Sequence, residues 1–174
     1  MKTEQLTHYN TPKTPAQIVE LVLICDGVNS PANAGSLFRL ADALGIKQLL
    51  FYRSRIDLAS NRLKRTSRSC EKRVAYTLCD DPEELLKPLR EQDYQFIGLE
   101  LTTTSISLNQ FENPGRKMAL VLGNEQHGIS QLLLEQLDHL VHIPMQGLNS
   151  SMNVSHAAAI AAYKLLNSPT NGSK

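Results

Sequence analysis

Hydrophobic residues along this chain fall into two alternating rhythms. Unbroken apolar runs occur at Glu20 to Cys25 (ELVLIC), Gln48 to Tyr52 (QLLFY), Phe96 to Leu101 (FIGLEL), Met118 to Leu122 (MALVL) and Leu140 to Ile143, which Pro144 closes. Such runs predict strands buried on both faces. Arg73 to Leu78 is a shorter candidate. Between the runs the spacing turns helical. Leu37, Leu40, Ala41 and Leu44 share one face of a helix that Asn33 caps and Gly45 ends, and Arg39 falls off that face. Asp81-Pro82-Glu83-Glu84 opens a second helix, with Asp at the cap, Pro first and Glu three residues after the cap. Pro88 keeps that helix short or kinks it. Ser130 caps a third over Gln131 to Leu137, and Ala157 to Leu166 is the last. Strands alternating with helices predict an α/β fold, a mainly parallel sheet covered by helices on both faces. No repeat, low-complexity tract or linker interrupts it. One domain is expected over 17–168, with a flexible arm over 1–16 and a disordered tail over 169–174.

Composition narrows the class. At 174 residues the chain can bury one sizeable core. No run approaches the roughly 20 apolar residues that span a bilayer, and the polar N-terminus has no signal-peptide centre. Cys25, Cys70 and Cys79 are an odd number at no metal-like spacing. A reduced, cytoplasmic protein without metal or membrane partner is expected. The net charge of +1 hides an asymmetry: residues 53 to 73 hold eight basic side chains against Asp57 and Glu71, a local +6. Arg53, Arg55, Arg62, Lys64, Arg65 and Arg68 belong to that block. The plain reading is a solvated face, but charges so one-sided favour a surface that binds a polyanion's phosphates.

Three polar loops follow strand ends: Asn29 to Arg39, Gly123 to Ser130, and Pro144 to Asn153. In an open parallel sheet such ends converge on the ligand crevice. None contains GxGxxG or a P-loop, which argues against a dinucleotide site. The third loop leads into an alanine-rich helix within HIPMQGLNSSMNVSHAAAIAAYKLL, residues 142–166. By itself that stretch reads equally as a docking helix with a polar lead-in or as a ligand loop. Singly, Arg39 reads as a surface ion-pairing residue, Glu125 as a cap for the Ser130 helix and Asn153 as a helix cap. His127 and His156 read as structural or incidental.

Together these loops carry a resemblance. NAGSLFRLADALG (33–45), LVLGNEQHGIS (120–130) and IPMQGLNSSMNVSHAAAIAAY (143–163) resemble, in order, the three motifs of the SpoU/TrmH branch of the SPOUT methyltransferases. The likeness covers Leu21 to Leu166. It departs in small ways, such as SMNVS where SLNVS is common, a volume-conserving change. The resemblance implies an α/β domain whose C-terminal part threads a loop as a deep trefoil knot, an exception to the general absence of knots. It implies S-adenosylmethionine bound there by Leu101, Thr102, Gly123, Asn124, Ile143, Met145, Ser151 and Met152. The implied reaction is methylation of a ribose 2′-hydroxyl in RNA, first in tRNA (D-loop or anticodon wobble position) and second in rRNA. Arg39, Asn33, Glu125, Ser151 and Asn153 take the catalytic positions, and the basic block binds RNA. Arg39 is expected to engage the substrate phosphate and the reacting ribose, not to act as general base, because a guanidinium stays protonated. A homodimer with sites composed at its interface is implied too. A catalytically silent RNA-binding relative is the alternative, and the intact set speaks against it. A base N-methyltransferase would need different substrate-side residues.

Overall fold

The structure is a computed structural model that describes residues 19–148 and 151–168. The expected arm over 1–16, the tail over 169–174, and Asn149 and Ser150 of the third loop lie outside the described residues.

Seven strands form one sheet: β1 (Glu20–Asp26), β2 (Gln48–Tyr52), β3 (Ala75–Cys79), β4 (Gln95–Leu99), β5 (Ile106–Ser107), β6 (Lys117–Leu122) and β7 (His139–His142). Their order is β3-β2-β1-β6-β4-β7-β5, and each neighbouring pair is parallel. Among the described residues five α-helices accompany it: α1 (Pro31–Leu44), α2 (Asn61–Ser67), α3 (Pro82–Arg90), α4 (Gln131–Leu134) and α5 (Val154–Asn167). The central strands feed both faces, as their unbroken apolar runs require. Leu21, Leu23 and Cys25 of β1 join Met118, Leu120 and Leu122 of β6 in a core shared with α1 and α5. Val22, Ile24, Ala119 and Val121 point the other way, onto α3 and the α4 region.

Element ends differ from the sequence expectation where side chains have longer-range partners. Helix α1 starts at Pro31, and its N-cap is Ser30, whose hydroxyl accepts from the Asn33 N–H at 3.4 Å. Asn33 is therefore not the cap, and its amide is available elsewhere. Strand β4 stops at Leu99 instead of Leu101, leaving Glu100 and Leu101 in the loop. Helix α4 is a single turn, and Ser130 makes no side-chain cap. Its main-chain N–H instead donates to Asp26 Oδ2 at 2.7 Å. Helix α5 begins at Val154, three residues before the alanine run, with Asn153 as its N-cap accepting from the Ser155 N–H. Short β5, in the loop after the threonines, had no apolar run to announce it. Helix α3 has the predicted Asp81 cap, which accepts from the Glu83 N–H, and it continues two residues past Pro88. No helix among the described residues is long and apolar enough to cross a membrane.

Candidate active site

The C-terminal ends of β4, β6 and β7 open on one cleft with two adjoining compartments. The first is bounded by Leu101, Ile143, Met145, Ser151 and Met152, together with Leu99, Glu100 and His142. The second is bounded by Gly123, Asn124, Glu125 and Gln126, with Ser151 and Met152 again shared. Seven of the eight residues expected to hold a cofactor therefore meet here. Thr102 does not line either compartment. Its hydroxyl oxygen accepts from the Thr104 and Ser105 N–H groups and so holds a tight turn beside the cleft. Glu100 and Gly128 also line the cleft, and sequence reasoning did not single them out. An acid closing an apolar strand was the available signal for Glu100.

The loop after β6 is held from several sides. Asn124 and Gly128 exchange main-chain hydrogen bonds of 3.0 and 2.9 Å. The Asn124 amide donates to the Gly27 carbonyl at 2.6 Å, while its oxygen accepts from the Gln126 and His127 N–H groups. At the loop's exit two carboxylates take consecutive amides: Glu100 Oε2 accepts from Ile129 N at 3.2 Å and Asp26 Oδ2 from Ser130 N. Gly128 is required in this arrangement. Its φ is +66°, and a Cβ would stand 2.5 Å from Glu100 Oε2.

Above the second compartment, side chains from all three motifs form a chain. Asn33 Nδ2 donates to Glu125 Oε1. Asn153 Nδ2 donates to Asn33 Oδ1 at 2.9 Å, and Asn153 Oδ1 accepts from both the N–H and the hydroxyl of Ser155. Asn153 is thus a helix cap and a link to Asn33 at once.

Arg39 is not part of this chain. It lines a separate groove between α1, α2 and α5, with Arg65, Arg68, Ser155 and His156. Among the described residues no hydrogen bond or ion pair engages Arg39. The rest of the basic block divides. Arg53 donates twice to the fully buried Asp26, at 2.7 and 3.1 Å, an attachment that raises its guanidinium further above its usual range. Arg55 grips Asp80, and Arg73 grips Asp42, whose carboxyl it holds below the usual range. The side chains of Arg62, Lys64, Arg65 and Arg68 have no such bond or ion-pair partner among the described residues. His127 sits exposed in the loop after β6, and His156 is exposed on the groove wall. No group of three or more His, Cys, Asp or Glu among the described residues is placed to hold a metal ion.

Comparison with known proteins agrees with this geometry. Residues 20–163 match the model of the SpoU rRNA Methylase family. The 23S rRNA (guanosine-2′-O-)-methyltransferase RlmB of Blochmanniella floridana is 31% identical over 153 residues, covering 87% of this chain and 59% of that protein. The Bordetella pertussis protein of the same name is 33% identical over 83% of this chain and 58% of its own length. This chain thus spans under two thirds of the curated relatives it matches. Among solved structures, the SpoU methyltransferase AviRb from Streptomyces viridochromogenes, in complex with AdoMet, superposes with a TM-score of 0.77 at 25% identity. It covers 87% of this chain and 61% of that one. A structure described in terms of 2-OH methylation of C/U34 on tRNA superposes with a TM-score of 0.74 at 27% identity, covering 85% of this chain and 95% of that one. With its three motifs joined around one cleft, the chain belongs to the SpoU rRNA Methylase family.

Proposed function

We propose that this protein transfers a methyl group from S-adenosylmethionine to a ribose 2′-hydroxyl of RNA. The observation that carries the reading is the chain Glu125–Asn33–Asn153, which joins all three motifs at the mouth of the cleft. The lining chemistry suits the cofactor. Apolar side chains and main-chain groups bound the cleft, and among the described residues Glu100 and Glu125 are its carboxylates and no Lys or Arg lines either compartment. Such a wall favours a cationic, phosphate-free ligand over a dinucleotide. When bound, the cofactor supplies a methyl group already activated on a sulfonium. The residues of this chain then have to align the ribose oxygen with it and stabilise the charge that develops. Asn33 and Asn153, fixed by each other and by Glu125, orient groups at that mouth. Arg39, as a permanent cation, engages substrate phosphate and not the proton. Ser151, shared by both compartments, lies where ribose and cofactor meet.

Ribosomal RNA is the leading substrate, because the curated relatives cited above are named for 23S rRNA. This reverses the order expected from sequence, where tRNA stood first; the relatives' names do not support that preference. Transfer RNA remains the second reading on one observation, the match to nearly the full length of the chain described for C/U34 of tRNA. The knot belongs to the same proposal. It is supported by Asn113, whose Nδ2 donates to the Leu165 and Ser168 carbonyls and so ties the loop before β6 to the end of α5. A homodimer is supported by an exposed apolar groove between α1 and α5, where Ile160 and Tyr163 are 45% and 62% exposed. Ala159→Glu in that groove is expected to give inactive monomers by light scattering; an active monomer contradicts the dimeric site.

The direct test is label transfer from S-adenosylmethionine to rRNA and tRNA fractions lacking modifications, with Arg39→Ala as the comparison. Label at one alkali-resistant ribose, lost in the variant, is the expected result. Near wild-type activity in Arg39→Ala refutes its role. Cofactor binding without label in any fraction points to the silent RNA-binding alternative.

A further inference from the structure

The groove that holds Arg39 has an unusual electrostatic composition. Three guanidiniums, Arg39, Arg65 and Arg68, line one depression with Ser36, Ser155 and His156, and among the described residues no carboxylate lines it. Elsewhere the same stretch of chain neutralises its arginines: Arg53 on Asp26, Arg55 on Asp80 and Arg73 on Asp42. The two patterns sit within twenty residues of each other, so composition alone does not explain the difference. Like charges left together raise the energy of the free protein and lower it again when an anion arrives.

The fold holds these cations in place. Helices α1 and α2 touch at Gly35, where a Cβ would lie 2.0 Å from Thr66 Oγ1 and 2.6 Å from the Leu63 carbonyl. That close approach sets Arg65 and Arg68 beside Arg39. Arg68 itself takes a left-handed conformation, φ 50°, as the C-cap of α2, its N–H donating to the Lys64 carbonyl. Few non-glycine residues adopt that geometry, and here it stations a long cation at the helix end.

The groove also adjoins the cleft. Ser155 and His156 face the groove, while Val154 and Ala157 face the second compartment. The first turn of α5 therefore stands between them, and Asn153 at its head is bonded to Asn33. A helix with its side chains is about 10 Å across, so one polynucleotide strand crossing that turn reaches both sides. We infer that the groove is a phosphodiester subsite, which holds the RNA backbone next to the ribose presented to the cleft, with Arg65 and Arg68 as phosphate ligands alongside Arg39. Guanidinium forks match phosphate oxygens bidentately. The inference rests on the proposed RNA substrate, and its test separates the two.

The experiment measures equilibrium binding of the full chain to unmodified ribosomal RNA transcripts across a salt series, without turnover. Arg65→Ala/Arg68→Ala is compared with Arg55→Ala and with Arg65→Lys/Arg68→Lys. Each phosphate contact on a single strand contributes a slope of about 0.7 in log affinity against log salt. The double alanine variant is expected to lose about 1.4 of that slope and at least roughly tenfold in affinity at low salt, with cofactor binding unchanged. The double lysine variant keeps the slope and loses only part of the affinity. Arg55, expected from sequence to bind RNA, is already neutralised by Asp80 and leaves that set in this inference, so Arg55→Ala stays within a few-fold of wild type. A double alanine variant indistinguishable from Arg55→Ala overturns the subsite, even if the wild type methylates RNA. A loss of slope in a protein that transfers no methyl group upholds the subsite and overturns the enzymatic reading instead.

Discussion

The cleft and the groove stand on opposite sides of one helical turn and are built by opposite rules. In and beside the cleft several polar side chains already have protein partners: Asn33 with Glu125 and Asn153, Asn124 with Gly27, Glu100 with Ile129. In the groove the cations have no hydrogen-bond or ion-pair partner among the described residues. A ligand entering the cleft meets a wall whose hydrogen bonds are fixed in advance, which lowers the cost of ordering it. A ligand entering the groove supplies the missing countercharge itself. The first arrangement suits a cofactor bound in one pose; the second suits a long anion that must also leave.

If that contrast is right, substitutions should be punished very differently on the two sides. The largest effect is expected from Asn33→Ala, which unlinks Glu125 from Asn153. Its kcat for methyl transfer should fall roughly 100-fold or more, as when a fixed polar contact to a reacting group is lost. RNA affinity should stay within a few-fold; an equal loss of both would erase the distinction between the two regions. Asp26→Ala comes next. It strips the partner from Arg53 and from the Ser130 N–H behind the cleft, and urea unfolding should show a loss of about 3 kcal/mol. Gly128→Ala should follow, with about 1–2 kcal/mol of strain at positive φ and weaker cofactor binding by calorimetry, because the added methyl displaces Glu100. A groove substitution of similar size, Arg65→Ala, should leave stability unchanged.

The smallest effect tests the paired arginines. Arg73 holds the Asp42 carboxyl below its usual range. A lowered carboxyl stabilises the fold above the unfolded-state value, near pH 4, and that contribution disappears as pH falls through the folded value. Asp42→Asn should therefore flatten the acid end of the stability curve slightly, below about pH 4. An unchanged curve would mean that the Arg73 pair is as loose as the cations in the groove.

The sequence shows more of the fold than of the site. Long apolar runs leave a strand few alternatives, so β1, β2 and β6 are legible within a residue or two. Helix starts are less so, because Ser30 and Asn33 are both good caps and only the distant Glu125 decides which one is needed. Glu100 is hidden for a similar reason: beside Leu99 and Leu101 it reads as part of a strand, and its work is done on an amide 29 residues away. In the basic block the charge is plain, but which arginines are neutralised depends on Asp26, Asp42 and Asp80, which no local pattern points to. The three motifs were readable as a set because their order carries the resemblance; their union at one cleft needed the sheet.

Strand order also bears on how the chain comes to be folded. Strand β1 pairs with β2 early, but its other neighbour, β6, begins only at Lys117, and β4 in turn waits for β6 and then for β7. A nascent chain therefore has β1, β2 and β3 with a raw apolar edge until the residues from Lys117 on have been made. Parallel pairings across such separations form slowly and leave edges exposed to aggregation. The edge that waits belongs to Leu21 through Cys25, all of them buried in the finished molecule. The strand whose late arrival covers it ends at Leu122, one residue before Gly123 of the cleft, so the centre of the sheet and the floor of the cleft are completed in the same step.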